Sequence, residues 1–191
     1  MKKFCLFKWV CLASALLVLT ACVAPDDETW MRIISIGSAG TASDSDGGTT
    51  TTTSTSVIES DLQSGETDTV DVVVQNSTII LGIGGGVSIT VYHATVEYFV
   101  EGYTFPSFQY TVTLFLPAPT SGEVGGATSE GTLNDLPLVP NALKNWILNP
   151  DTFPAEIAAR GFTGEARVTL RGRTVEGREL ETSAGVAVFF K

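Results

Sequence analysis

The sequence is poor in the residues that build catalytic and metal centres. It contains one histidine, His93, and its three cysteines all lie within the first 22 residues. Zinc sites need several histidine, cysteine or carboxylate ligands, and a Ser-His-Asp triad needs a histidine beside a nucleophilic serine. The chain has no G-x-S-x-G motif to present such a serine. We therefore predict that the protein is not an enzyme, that it has no cofactor, and that His93 is an ordinary strand residue.

Basic side chains are also scarce. The chain has 11 lysines and arginines against 21 aspartates and glutamates, a net charge of −10. Acidic residues dominate from Val23 to Leu143, whereas the two signs nearly balance from Lys144 onward. Nucleic acids and anionic lipid surfaces attract basic proteins and repel acidic ones. We therefore expect no nucleic-acid partner and no electrostatic binding to anionic lipid.

The most apolar run, Trp9 to Leu19, is short for a membrane span. As a helix it would rise about 16 Å, whereas roughly 20 residues are needed to cross a bilayer. Lysines precede the run and small residues follow it. This order is typical of a secretory signal peptide, which we predict over residues 1–21.

The run ends in Leu19-Thr20-Ala21-Cys22, which is similar to the lipobox of bacterial lipoproteins. In that family a peptidase cuts before the cysteine, whose sulfur carries a diacylglycerol and whose new amino terminus is acylated. The resemblance implies lipidation of Cys22, membrane attachment through that lipid, and an outer-membrane location because Val23 rather than Asp follows. Since the other two cysteines leave with the signal peptide, no thiol would remain for a disulfide.

We predict a lipid-anchored tether over residues 22–56 and one β-domain over residues 57–191. The tether contains the Gly/Ser/Thr-rich segment Ser38–Ser56, which has too few apolar residues to offset the entropy of ordering it. It also contains Met31–Ile36, a candidate first strand. Whether that strand pairs with the β-domain stays open at this point.

Apolar and polar residues alternate over several segments after Val57, as in half-buried antiparallel strands. In Ile89–Val100 the alternation changes phase near Val91–His93, which predicts a bulge or a crossing between sheets. A three-residue loop, Val175–Gly177, would close a hairpin that sets Arg173 across from Glu179 and Arg171 across from Glu181. Pro137, Pro140, Pro150 and Pro154 break any long helix, but Asn141–Leu148 could form two helical turns.

The strand containing VYHATVEY and the final hairpin ending in VAVFF resemble the immunoglobulin and fibronectin type III class. This resemblance implies an all-β fold, an antiparallel β-sandwich. We expect a non-enzymatic structural or interaction role, with another envelope protein as partner.

Two alternatives remain, a calcium site and a carbohydrate site. Asp44 and Asp46 form a fragment of a calcium loop, and an acidic stretch over 59–71 offers further carboxylates: Glu59, Asp61, Glu66, Asp68 and Asp71. For sugars, Tyr103 and Phe105 are the best candidates for exposed aromatics, although core packing is the default expectation for them. The glycine run Gly82–Gly86 lacks the Lys-Ser/Thr of a phosphate loop and is expected to be a turn.

Overall fold

The structure, a computed structural model, describes residues 28–38, 57–79, 86–120 and 127–191. Its elements in chain order are β1 (Glu28–Ser38), β2 (Ile58–Ser60), β3 (Asp68–Ile79), β4 (Ile89–Val100), β5 (Tyr103–Thr104), β6 (Phe108–Leu116), β7 (Ala127–Val139), α1 (Asn141–Leu148), α2 (Ala155–Arg160), β8 (Phe162–Thr174) and β9 (Glu179–Phe190). One sheet has the order β1-β3-β7. The other has the order β2-β9-β8-β4-β5, and β6 also pairs with β4. The prediction of a mostly β fold is confirmed.

The two sheets enclose one apolar core. Alternate residues of β3, Val70, Val72 and Val74, are fully buried, as are Val168 and Leu170 of β8 on the opposite sheet. Full burial of such a side chain contributes about 1.5–3 kcal/mol. Two sheets facing each other across one core are consistent with the predicted sandwich.

Two of the three predictions about local structure concern strand registers. The pairing of β4 with both neighbours shifts between Val91 and His93, so the predicted bulge is confirmed. In the β8–β9 hairpin, Arg173 pairs with Glu179 and Arg171 with Glu181, as predicted. Gly177 adopts the left-handed conformation, with φ of 88°.

The third prediction concerns a helix. α1 spans Asn141–Leu148, the segment in which two helical turns were predicted between the prolines. Its Leu143 and Ile147 are fully buried in the core and Trp146 packs against it. α1 and α2 therefore close one end of the space between the sheets.

The bulge also explains why the side chain of Tyr92 lies on the opposite side of β4 from the one that strict alternation predicts. The sequence pattern grouped Tyr92 with Ala94 and Val96, which are fully buried. Tyr92 is instead exposed, because the extra residue of the bulge lies there and turns its side chain outward.

β1 settles the pairing that the sequence left open. It pairs with β3 along its whole length, from Glu28 opposite Ile79 to Ser38 opposite Val70, and its Met31, Ile33 and Ile36 are buried in the core. Residues 28–38, which the sequence analysis placed in the tether, thus lie in a sheet. Only residues 23–27 separate Cys22 from this strand.

The strand ends gather at two poles. The hairpin pole contains the first residues of β1, β4 and β7 and the β8–β9 loop Val175–Gly177. The helix pole contains the last residues of β1, β7 and β9 together with α1 and α2. A contact across the sheets at each pole supports this alignment: Asn76 Nδ2 donates to Pro117 O at 3.0 Å at the hairpin pole, and Tyr98 Oη donates to Leu138 O at the helix pole.

Candidate functional site

The outward side of the six-stranded sheet, termed here the outer face, is an exposed surface with varied chemistry. Strands β6, β4, β8 and β9 lie side by side, and every second residue points away from the core. The exposed residues include Gln109, Thr111, Thr113 and Phe115 on β6, Thr90, Tyr92, Glu97 and Phe99 on β4, Glu165, Arg167, Arg171 and Arg173 on β8, and Glu179, Glu181 and Ser183 on β9.

Cross-strand ion pairs hold the charges of this face in place. Arg171 Nε donates to Glu181 Oε2 at 2.7 Å, and Arg173 Nε donates to Glu179 Oε1 at 2.6 Å. The four side chains are between 50% and 59% exposed. Solvent screens pairs that are so exposed, so they orient charged groups more than they stabilise the fold.

Aromatic rings lie among these charges. Tyr92 Oη donates to Glu179 Oε2 at 2.7 Å. This hydrogen bond, more than the neighbouring arginines, lowers the pKa of the Glu179 carboxyl, and it raises the pKa of Tyr92. The Arg167 guanidinium lies over the Phe99 ring, 4.4 Å from its centroid, in a cation–π contact.

The outer face therefore offers exposed rings and fixed charges of both signs on a rigid sheet. Tyr92 is 39% exposed, Phe99 46% and Phe115 61%. Aromatic residues and arginine are enriched in protein–protein interfaces and in their energetic hot spots. The arrangement suits recognition of another molecule.

Tyr103 and Phe105, the sequence candidates for exposed aromatics, lie mostly within the fold. Tyr103 and Phe105 are half-buried, with ring centroids 4.8 Å and 5.6 Å from that of Phe153. Trp146 and Phe162 complete this cluster. The default expectation of core packing holds for both rings, which pack against the core because α1, α2 and the segment between them cover the turn.

A sequence signal for two of the exposed rings was present. Phe115 follows the same parity as the polar residues Thr111 and Thr113 in β6. After the bulge in β4, the even-numbered Val96 and Tyr98 are buried. The odd-numbered Glu97 and Phe99 therefore share the outward side of the strand. Parity relative to the core, rather than proximity to a turn, would have identified these rings.

The carboxylates of the acidic stretch do not converge on a cation site. Glu59 pairs with Lys191, Asp61 accepts from the backbone N–H of Gln63 at 2.8 Å, and Asp71 accepts from the backbone N–H of Asp135 at 3.1 Å. Within the described ranges, no group of three or more histidine, cysteine, aspartate or glutamate residues is placed to hold a metal ion. Asp44 and Asp46 lie outside the described residues.

Asp68, another acid of this stretch, binds Lys144, a lysine that sequence reasoning passed over. Lys144 is fully buried, and its Nζ donates to Asp61 O at 2.9 Å, Ser64 Oγ at 2.8 Å and Asp68 Oδ1 at 3.2 Å. It fastens the loop between β2 and β3 to α1. Nothing in the sequence around Lys144 distinguished it from an exposed lysine.

The remaining residues singled out in the sequence are His93, Cys22 and the glycine run. His93 is half-buried, with Nε2 3.3 Å from Thr95 Oγ1, and its cross-strand neighbours are Thr111 and Arg171. Cys22 and Gly82–Gly85 lie outside the described residues.

Comparisons with known proteins do not assign a family to the chain. No protein-family model matches the chain, and no curated protein matches its sequence. Over the ranges that the structure describes, no helix is both long enough and apolar enough to span a membrane. The outer face and the N-terminal motif are therefore the observations from which function is argued.

Proposed function

We propose that the protein is a lipid-anchored component of the bacterial cell envelope, attached to the outer membrane through lipid on Cys22. Its role is non-enzymatic: the folded domain binds another envelope protein through the outer face. The anchoring part rests on the signal-peptide pattern and on Leu19-Thr20-Ala21-Cys22.

One observation carries the binding part, the exposure of Tyr92 and Phe99 beside fixed arginines on a sheet. Rings on a sheet are already held in place, so binding them costs little conformational entropy. The rings provide apolar contact area, and the ion pairs around them provide directional groups at the rim.

We further propose that the domain is a sandwich of the immunoglobulin or fibronectin type III class. The sheet β1-β3-β7 and the neighbours β9-β8-β4 have the order of strands A-B-E and G-F-C in that class. Short β2, parallel to the end of β9, adds to the edge of the second sheet. The strand order supports this proposal with the topology of the sheets, whereas the sequence resemblance covers only short segments.

The test is affinity purification of the full-length protein from detergent-solubilised envelopes, read by quantitative mass spectrometry. The informative variant is Phe99→Asp, which places a charge in the outer face. Its matched control is Thr132→Asp, an exposed position on β7 of the other sheet. We expect a partner that is lost with Phe99→Asp, retained with Thr132→Asp, and reduced in Cys22→Ala, which leaves the membrane. Recovery of no partner, or of a partner whose binding is unchanged by Phe99→Asp, contradicts the proposal.

The exposed rings of Tyr92 and Phe99 also favour a second candidate, carbohydrate binding, because sugar rings stack on flat aromatic faces. Binding of the purified protein to a glycan panel, abolished by Phe99→Ala, would establish it. Binding that survives this substitution would exclude the outer face as a sugar site.

A further inference from the structure

We propose that the hairpin pole lies against the membrane surface, with Trp30, Phe115 and Val175 in contact with the lipid headgroup region. The occupant of this apolar end is a phospholipid bilayer. The inference rests on the proposed lipid attachment at Cys22, and it assigns an orientation that the attachment alone does not imply.

The length of chain between the anchor and the fold is the first argument. Residues 23–27 separate Cys22 from Glu28, so even a fully extended connection spans only about 20 Å. β1 begins at the hairpin pole. β4 and β7 have 12 and 13 residues and run about 40 Å between the poles. The anchor therefore reaches the hairpin pole but is too short to bring the helix pole to the bilayer.

Exposed apolar side chains surround this pole. Trp30 is 40% exposed, two residues from the start of β1, and Phe115 is 61% exposed, one residue from the end of β6. They lie on opposite sheets. Val175, 73% exposed, is in the hairpin loop itself. Tryptophan and phenylalanine are characteristic of protein surfaces that rest in the membrane interface.

The charge distribution favours the same orientation. In the half of the domain near the hairpin pole, the charges nearly balance, with Arg32, Arg171, Arg173 and Arg178 against Glu28, Glu130, Glu176, Glu179 and Glu181. The other half has a large excess of carboxylates, among them Asp61, Glu66, Asp71, Asp135, Asp151 and Glu156. An anionic lipid surface repels the acidic half.

The contact itself is apolar rather than electrostatic. The connecting segment adds the carboxylates of Asp26 and Asp27, so no net positive charge draws the pole to lipid. The contact should therefore form on neutral phosphatidylcholine and should persist at high salt.

This orientation has a consequence for the rest of the molecule. The helix pole points away from the membrane. Ser38, the first residue of the Gly/Ser/Thr-rich segment, and Val57, which follows that segment, are both near this pole. In this orientation the strands run away from the membrane surface, so the outer face is not covered by the bilayer and remains accessible to a partner.

Two tryptophans provide an internal comparison, because Trp30 is at the hairpin pole and Trp146 is in α1 at the helix pole. Trp9 belongs to the predicted signal peptide. The lipidated full-length protein is reconstituted in phosphatidylcholine vesicles containing a lipid with a spin label on its headgroup, which quenches nearby tryptophan. The variant Trp146→Phe retains Trp30, and the control Trp30→Phe retains Trp146. We expect loss of Trp30 emission and nearly unchanged Trp146 emission.

The failures are distinguishable. Mass measurement of the purified protein first establishes whether Cys22 is acylated; an unacylated cysteine overturns the lipid attachment and the orientation with it. With acylation verified, an unquenched Trp30, or equal quenching of Trp30 and Trp146, overturns the orientation alone.

A second variant tests the apolar contact. Phe115→Ser combined with Val175→Ser, in the Trp146→Phe protein, should reduce the quenching of Trp30 with little change in thermal unfolding, because both positions are exposed. Unchanged quenching would mean that the tether alone sets the distance, and would contradict contact through these side chains.

Discussion

Glu179 is the most connected single residue of the outer face. Its two carboxylate oxygens accept hydrogen bonds from Tyr92 and Arg173, which belong to two different strands. The bulge in β4 makes this possible because it turns Tyr92 outward. A local irregularity in one strand thus determines the electrostatics of a residue on another.

The first prediction concerns the pKa of Glu179. Tyr92→Phe removes the hydrogen bond that lowers it most, so the pKa should rise toward the ordinary value of 4.5. A pKa lowered by folding contributes stability above the unfolded-state pKa, and that stability is lost as the pH falls through the folded-state pKa. An NMR titration of the Glu179 side chain measures the change. Tyr103→Phe, at the helix pole, is the control; equal shifts in both variants would contradict the assignment.

The second prediction compares two lysines. Lys144→Met removes three buried hydrogen bonds from a cation and should destabilise the fold by about 2–3 kcal/mol. Lys191→Met removes an exposed pair with Glu59 and should cost much less, because solvent screens that pair. Urea unfolding of both variants measures the difference. Similar losses would show that the buried lysine does not hold the loop between β2 and β3.

At the scale of single elements, strands with regular alternation could be predicted and irregular ones could not. The phase of β4 and the register of β8 with β9 follow from residue parity, because the side chains of a strand alternate strictly between two faces. β7 escaped prediction since it contains Pro137 and Asp135 with positive φ. Such residues are tolerated because β7 is at the edge of its sheet.

The third prediction concerns the β8–β9 hairpin. Gly177→Val should destabilise the domain by about 1–2 kcal/mol through backbone strain at positive φ. No atom lies within 4 Å of a Cβ added there, so a steric clash does not contribute. Gly177→Asn is the matched control and should lose less, since asparagine tolerates the left-handed region. Thermal unfolding of the two variants is the measurement, and an unaffected valine variant would count against the loop register.

At the scale of the whole molecule, β1 joins the N-terminal segment to the core. Its pairing with β3 places Met31, Ile33 and Ile36 between the sheets. The segment between Cys22 and the fold is consequently short, and the low-complexity segment is not part of it. The chain-length argument for the proposed orientation depends on this strand.

The fourth prediction follows from that placement. A chain that begins at Val57 lacks β1 and should be unfolded or melt far below a chain that begins at Val23. Three buried side chains at about 1.5–3 kcal/mol each are comparable with the total stability of a domain. Circular dichroism during heating compares the two. Coincident melting curves would show that β1 is dispensable for the fold.

The sequence by itself determined the β class, the phase change in β4 and the register of the last hairpin. These depend on the alternation of neighbouring residues and on the backbone freedom of Gly177, which are local properties. Only the tertiary structure decided where Met31–Ile36 pairs, that Tyr103 and Phe105 are covered, that Lys144 is buried, and which rings form the outer face. Each of these depends on which distant segments pack together, and that choice is made by the core as a whole rather than by any stretch of sequence.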